Sequence, residues 1–135
     1  MKRRRPASTR FYGAIVSVND LDRCRAFYQH VLGLGQPVVD SNFWVEFEIV
    51  AGQMVLALKK HGPVSQAPPE QDKGHANSVA WCMQVSDLSE FQSRLIRHDC
   101  YPQAASILPN GMEALTFHDP EGNAFVILGY STTPE

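Results

Sequence analysis

The sequence predicts an α+β fold made of two βαβββ modules in tandem. Three observations carry this. Short β-rich runs alternate with two amphipathic helical stripes. The plan repeats along the chain: Val18-Asn19-Asp20-Leu21 lies over Val85-Ser86-Asp87-Leu88 at an offset of 67, and Val55-Leu56-Ala57-Leu58 lies over Ala124-Phe125-Val126-Ile127 at 69. The 135 residues are too few for two independent cores, so the modules should pack on one another.

The elements follow in order. Phe11 to Val18 is a short apolar run of β-formers and reads as a strand. Asn19 and Asp20 offer helix caps. Leu21, Cys24, Phe27, Tyr28, Val31 and Leu32 then make one helical stripe, which Gly33 stops. In Asn42–Ile49, Phe43, Val45, Phe47 and Ile49 alternate with Trp44, Glu46 and Glu48, as in a half-buried strand. Met54 to Lys59 returns as its hairpin partner after an Ala51-Gly52-Gln53 turn. Ser78 to Val85 opens the second module as a strand, and Leu88, Phe91, Leu95 and Ile96 form the second helical stripe. Three more strands are expected within Tyr101–Leu108, Met112–His118 and Ala124–Tyr130, the last two joined by the Asp119-Pro120-Glu121-Gly122-Asn123 turn. The boundaries are therefore a basic tail at 1–10, a first module at 11–60, a Pro- and Gly-rich linker at 61–77, a second module at 78–131 and a short tail at 132–135.

Composition narrows function. Hydrophobic residues at 44% and charged residues at 19% fit a globular chain rather than a disordered one. No apolar run approaches the ~20 residues that span a bilayer. The net charge of −2 hides an asymmetry: Lys2, Arg3, Arg4, Arg5 and Arg10 sit in the first ten positions, so the remainder carries −7. Such a body lacks the basic face that nucleic acid requires, so no nucleic-acid partner is expected. Cys24, Cys82 and Cys100 form no CxxC pair, and free thiols in the cytoplasm are the expectation.

Two stretches carry a family resemblance. Ser17–Leu34 (SVNDLDRCRAFYQHVLGL) resembles the strand-to-helix signature of the vicinal oxygen chelate superfamily, the glyoxalase, bleomycin-resistance and extradiol-dioxygenase group. Phe117–Leu128 (FHDPEGNAFVIL) resembles its closing hairpin. The likeness spans about Phe11 to Tyr130. It implies a cupped mixed sheet with the helices on the outer face, a site on the concave side, and a homodimer. In metal-dependent members the first and last strands of each module each supply a His, Glu or Gln to a divalent cation.

Counted from those motifs, the four ligand positions fall on Gly13, Ala57, Ala80 and Val126, none of which offers a lone pair. Slipping the register by one brings in only Tyr12, alongside Ala14, Leu56, Leu58, Val79, Trp81, Phe125 and Ile127. His30 and His98 belong to the helices, His61 and His75 flank the linker, and His118 stands beside the closing turn. No metal and no cofactor are therefore expected.

Alternation then names the lining of the cup. Phe11, Ile15 and Ser17 share a face with Gly13, Val55 and Lys59 with Ala57, Cys82 and Gln84 with Ala80, and Leu128 and Tyr130 with Val126. Trp44, Glu46 and Glu48 turn to the cup if their apolar neighbours face the helix, and Trp81 then falls on the helix side. The expected ligand-binding set is Phe11, Ser17, Trp44, Glu46, Glu48, Cys82, Gln84 and Tyr130. Alternation does not assign the faces of Met112–His118. An aromatic with two carboxylates suits a small molecule with a flat or cationic part. The expected function is metal-independent binding or sequestration of such a ligand. The alternative is a glyoxalase- or dioxygenase-like enzyme, either a metal-dependent lyase or isomerase, or a metal-free acid/base enzyme using Glu46 and Glu48.

Overall fold

A computed structural model describes residues 11–50, 54–61 and 79–130. The tails, the 51–53 turn and nearly all of the 61–77 linker, with His75, lie outside the described residues. The first module comprises β1 (Gly13–Val18), α1 (Leu21–Ala26), a π-helical turn (Phe27–Val31), β2 (Val39–Asp40), β3 (Trp44–Val50) and β4 (Met54–Lys60). The second comprises β5 (Trp81–Gln84), α2 (Leu88–Arg97), β6 (Ala104–Ile107), β7 (Glu113–His118) and β8 (Ala124–Gly129). Each forms a four-stranded mixed sheet, ordered β1-β4-β3-β2 and β5-β8-β7-β6. The first and last strands of each module pair in parallel, and the others pair antiparallel. The two sheets have the same order, so the repeat seen in the sequence is a repeat of topology.

The helix starts fall where the caps predict. The Asp20 side chain accepts from the Arg23 amide at 3.1 Å, and Asp87 accepts from the Glu90 amide at 3.0 Å. The first helix differs from a plain α-helix, because it passes into a π turn at Phe27. This presents Phe27 and Tyr28 side by side, with ring centroids 5.4 Å apart and planes at 80°. The second helix ends on a Schellman turn, with the Asp99 amide bonded to the Ile96 carbonyl and the Cys100 amide to the Leu95 carbonyl, both at 2.9 Å. The left-handed residue of that turn is Asp99, at φ 62°.

One core serves both modules. Val16, Val18, Val45, Phe47, Leu56 and Leu58 point inward from the first sheet, and Leu115, Phe117, Phe125 and Ile127 from the second. This settles the faces of β7: Leu115 and Phe117 are buried on the helix side. The two halves meet through aromatic rings. Tyr28 lies 6.3 Å from Trp81 and 6.5 Å from Phe125, and Trp81 stacks on Phe125 at 4.8 Å. Trp81 is therefore half-buried core, as its parity implied.

Polar contacts lock the same seam. The Tyr28 hydroxyl donates to Asp119 Oδ2 at 2.7 Å. The Glu121 carboxylate accepts from the Asn19 amide at 2.8 Å and the Asp20 amide at 2.6 Å. Arg94 on α2 donates to the Leu32 carbonyl at 2.8 Å. Beneath this lock, burial first and then the nearby Glu121 and Asp119 charges push the Cys24 thiol up to about 12. Burial, followed by the Asp119 charge, also raises the Tyr28 phenol above its ordinary range.

Two predictions follow from these local features. Asp99→Gly removes both a left-handed side chain and a negative charge at a helix C-terminus, and should raise stability by about 0.5–1 kcal/mol in urea unfolding. The second concerns alkaline pH. Cys24 and Tyr28 are neutral when protonated and hold their protons more tightly folded than unfolded. The Cys24 contribution is complete below the unfolded thiol value near 9.0 and falls as pH rises through about 12, and the Tyr28 contribution begins to fall only above the unfolded phenol value of 10.0. The melting temperature should drop from pH 9 upward, and Cys24→Ala should make the drop shallower.

Candidate functional site

The strand register lays out the concave face of the first sheet as three transverse rows. Gly13, Val55 and Glu48 form one row, Ile15, Ala57 and Glu46 the next, and Ser17, Lys59 and Trp44 the third. In the second sheet the rows are Cys82, Val126, Thr116 and Ala104, then Gln84, Leu128, Ala114 and Ser106. Every charged side chain in these rows belongs to the first module. The second module contributes a neutral wall of small and apolar groups.

Between β1 and β5, where the two sheets meet without pairing, runs a cleft of about 970 Å³. Phe11, Ile15, Met54, Val79 and Met83 supply its apolar lining. Ser17, His61, Cys82 and Asn123 supply the polar groups. Three of the sequence-predicted residues, Phe11, Ser17 and Cys82, thus share one wall system, together with the ligand positions Gly13 and Ala80.

Trp44 and Glu46 sit two strands away and form a separate polar group. Glu46 is only 7% exposed. Its oxygens each accept from the Tyr12 hydroxyl at 3.0 Å, and Oε2 also accepts from Trp44 Nε1 at 2.9 Å. Burying a carboxylate is costly unless it is hydrogen-bonded, and here a phenol and an indole N–H satisfy it. Ala57, its neighbour in the row, is fully buried. Glu48 is exposed one row along, beside Val55 of the cleft. Gln84 and Tyr130 are exposed, and the Tyr130 hydroxyl reaches the Asn110 carbonyl at 3.5 Å. Neither borders the cleft. The predicted set is therefore divided: a seam cleft, a pinned carboxylate beside it, and two residues apart from both.

Sequence reasoning missed the role of Tyr12. Strict alternation puts Tyr12 on the helix face, opposite Gly13, yet its hydroxyl lies on Glu46. Gly13 explains this. A Cβ there would stand 1.9 Å from the Val55 carbonyl oxygen, at φ 159°. The missing side chain would point into the sheet rather than across it, so alternation breaks and the preceding residue reaches the concave side. A glycine directly after a tyrosine at a strand start was the available signal.

The same position limits which donors the site can present. No side chain fits at Gly13 without moving β4, and Ala57, Ala80 and Val126 carry no donor. Among the described residues, no group of three His, Cys, Asp or Glu side chains is placed to hold a metal ion. His30 and His98 are exposed on the helical side, His61 borders the cleft alone, and His118 ends β7. The donor set does not fit the divalent cation of the metal-dependent relatives.

No helix among the described residues is long and apolar enough to cross a membrane. The family model of the Glyoxalase/Bleomycin resistance protein/Dioxygenase superfamily matches residues 10–127. Solved structures share the fold at low identity. A glyoxalase/bleomycin resistance protein from Catenulispora acidiphila is 18% identical with a TM-score of 0.64, covering 93% of this chain and 100% of its own. A lactoylglutathione lyase from Agrobacterium tumefaciens is 22% identical with a TM-score of 0.66, covering 88% and 92%. A superfamily member from Sphaerobacter thermophilus is 21% identical with a TM-score of 0.64, covering 90% and 97%. No curated protein matches in sequence. With both sequence motifs, the repeated sheet order and a family match over most of its length, the chain belongs to the glyoxalase/bleomycin resistance protein/dioxygenase superfamily.

Proposed function

We propose that the protein binds a small organic molecule without a metal ion, holding the apolar or aromatic part of its ligand in the seam cleft. The observation that carries this reading is Gly13, where the first-strand ligand position is closed to any side chain while the cleft beside it stays open. A largely apolar cleft with a few polar groups is what a small-molecule site requires. The row containing Glu46 and Ile15 brings a carboxylate within two strands of the cleft, about 10 Å away at ~4.8 Å per strand. That suits a ligand with a cationic end, and Trp44 adds a flat surface beside it. The acidic body attracts such a ligand at long range.

The reading includes a homodimer. Phe11, Ile15 and Val79 stand exposed along the cleft, and a second copy covering them would complete the site. The three free thiols support a reducing, cytoplasmic setting.

Fluorescence titration with thioflavin T, a cationic aromatic dye, and Nile red, a neutral one, tests the reading. Both should bind in the presence of EDTA. Trp44→Ala should weaken thioflavin T about fivefold, in line with ~1 kcal/mol for an aromatic contact. Glu46→Gln should weaken thioflavin T and spare Nile red. Binding that requires added divalent metal, or that ignores both substitutions, would contradict the reading. Gly13→His, which restores the donor type of metal-dependent relatives, should lower stability by at least ~2 kcal/mol through overlap with β4 rather than create a metal site. Urea unfolding with and without zinc reads this directly.

A further inference from the structure

We infer that the Asp119–Asn123 turn couples occupancy of the seam cleft to the fastening of the Asn19–Asp20 end of β1 against the second module. The inference rests on the cleft being the ligand site. The turn has two sets of contacts. Toward the cleft, Asn123 and the adjoining Ala124 form part of the wall. Toward the first module, Asp119 takes the Tyr28 hydroxyl and Glu121 takes the Asn19 and Asp20 amides.

Asp119 makes the turn one rigid piece. Its Oδ1 accepts from the Glu121 amide and the Asn123 amide, both at 2.9 Å, and the Asn123 side chain donates to both of its oxygens at 3.2 and 3.0 Å. Asn123 therefore cannot shift without moving the carboxylate that holds Tyr28. On the opposite wall, β1 ends at Val18, and the next two residues are the Asn19 and Asp20 held by Glu121. One turn thus ties both walls of the cleft at the same end.

A ligand that contacts Asn123 and β1 together favours the fastened end of β1, and the fastened end presents both walls to the ligand. Linkage makes the two effects equal. Glu121 acts as a positioning residue: it touches neither the cleft nor a ligand, but sets the spacing of the walls.

Amide hydrogen exchange by NMR, with and without saturating thioflavin T, tests this on the unmodified protein. The dye should slow exchange at Asn19 and Asp20 at least fivefold. It should leave the Cys100 amide, bonded to Leu95 at the far end of α2, unchanged. Glu121→Gln should weaken dye binding several-fold while retaining the Cys100 protection of the folded chain. Equal slowing at all three amides would show global stabilisation and overturn the coupling. So would dye binding with no change at Asn19 and Asp20, or full dye affinity in Glu121→Gln. If Glu121→Gln fails to fold, Tyr28→Phe, which breaks the second contact, carries the same expectation. Absence of any dye binding defeats the cleft reading itself and the coupling with it. That result is recognised by an unchanged dye signal in the parent protein.

Discussion

The hydrogen bond from Tyr28 to Asp119, set among the rings of Phe27, Trp81 and Phe125, is the contact on which the rest of the structure depends. The two four-stranded sheets share one buried core. Each needs the other's inner face, and Tyr28 brings the first helix onto the second sheet. The cost of burying its hydroxyl and the Asp119 carboxylate is offset because each satisfies the other. The π turn matters here, since it sets Phe27 and Tyr28 edge to face above Phe125. Once the helix side is closed in this way, the unpaired seam between β1 and β5 is left open on the other side.

The lining of that seam is shaped by short side chains at positions where a longer one could stand. Gly13 and Ala80 line it, Ala57 is fully buried, and Val126 belongs to the neutral wall of the second sheet. A fold that elsewhere gathers donors at these four positions here offers apolar surface flanked by one pinned carboxylate. The pinning has a consequence for chemistry. Glu46 already receives a phenol and an indole N–H, so its oxygens are engaged within the fold. The asymmetry of the two modules follows: the first carries Glu46, Glu48, Lys59 and Trp44, and the second carries Thr116, Ala114 and Leu128.

Much of this was legible in the sequence because it obeys simple periods. The offset of 67 to 69 residues exposed the two modules, and the core face of Val45 and Phe47 against the concave face of Trp44 and Glu46 followed from alternation alone. Parity also placed Trp81 inward and Ser17 and Cys82 on the concave side. What was not legible breaks periodicity or spans the chain. Tyr12 escapes alternation because Gly13 turns the strand. The two-residue β2 is too short to leave a pattern. Glu121 and Asn19 are separated by 102 positions, and nothing local to the closing turn says that its acidic residue holds the other module. The division of the predicted site into a cleft and a separate carboxylate arises from the seam between sheets, which strand patterns do not describe.

The central claim is that this member of the superfamily forms its site without a metal centre. Elemental analysis of protein purified without chelator tests that claim most directly. The account predicts that no transition metal is present in proportion to the protein. One such ion per chain would contradict it.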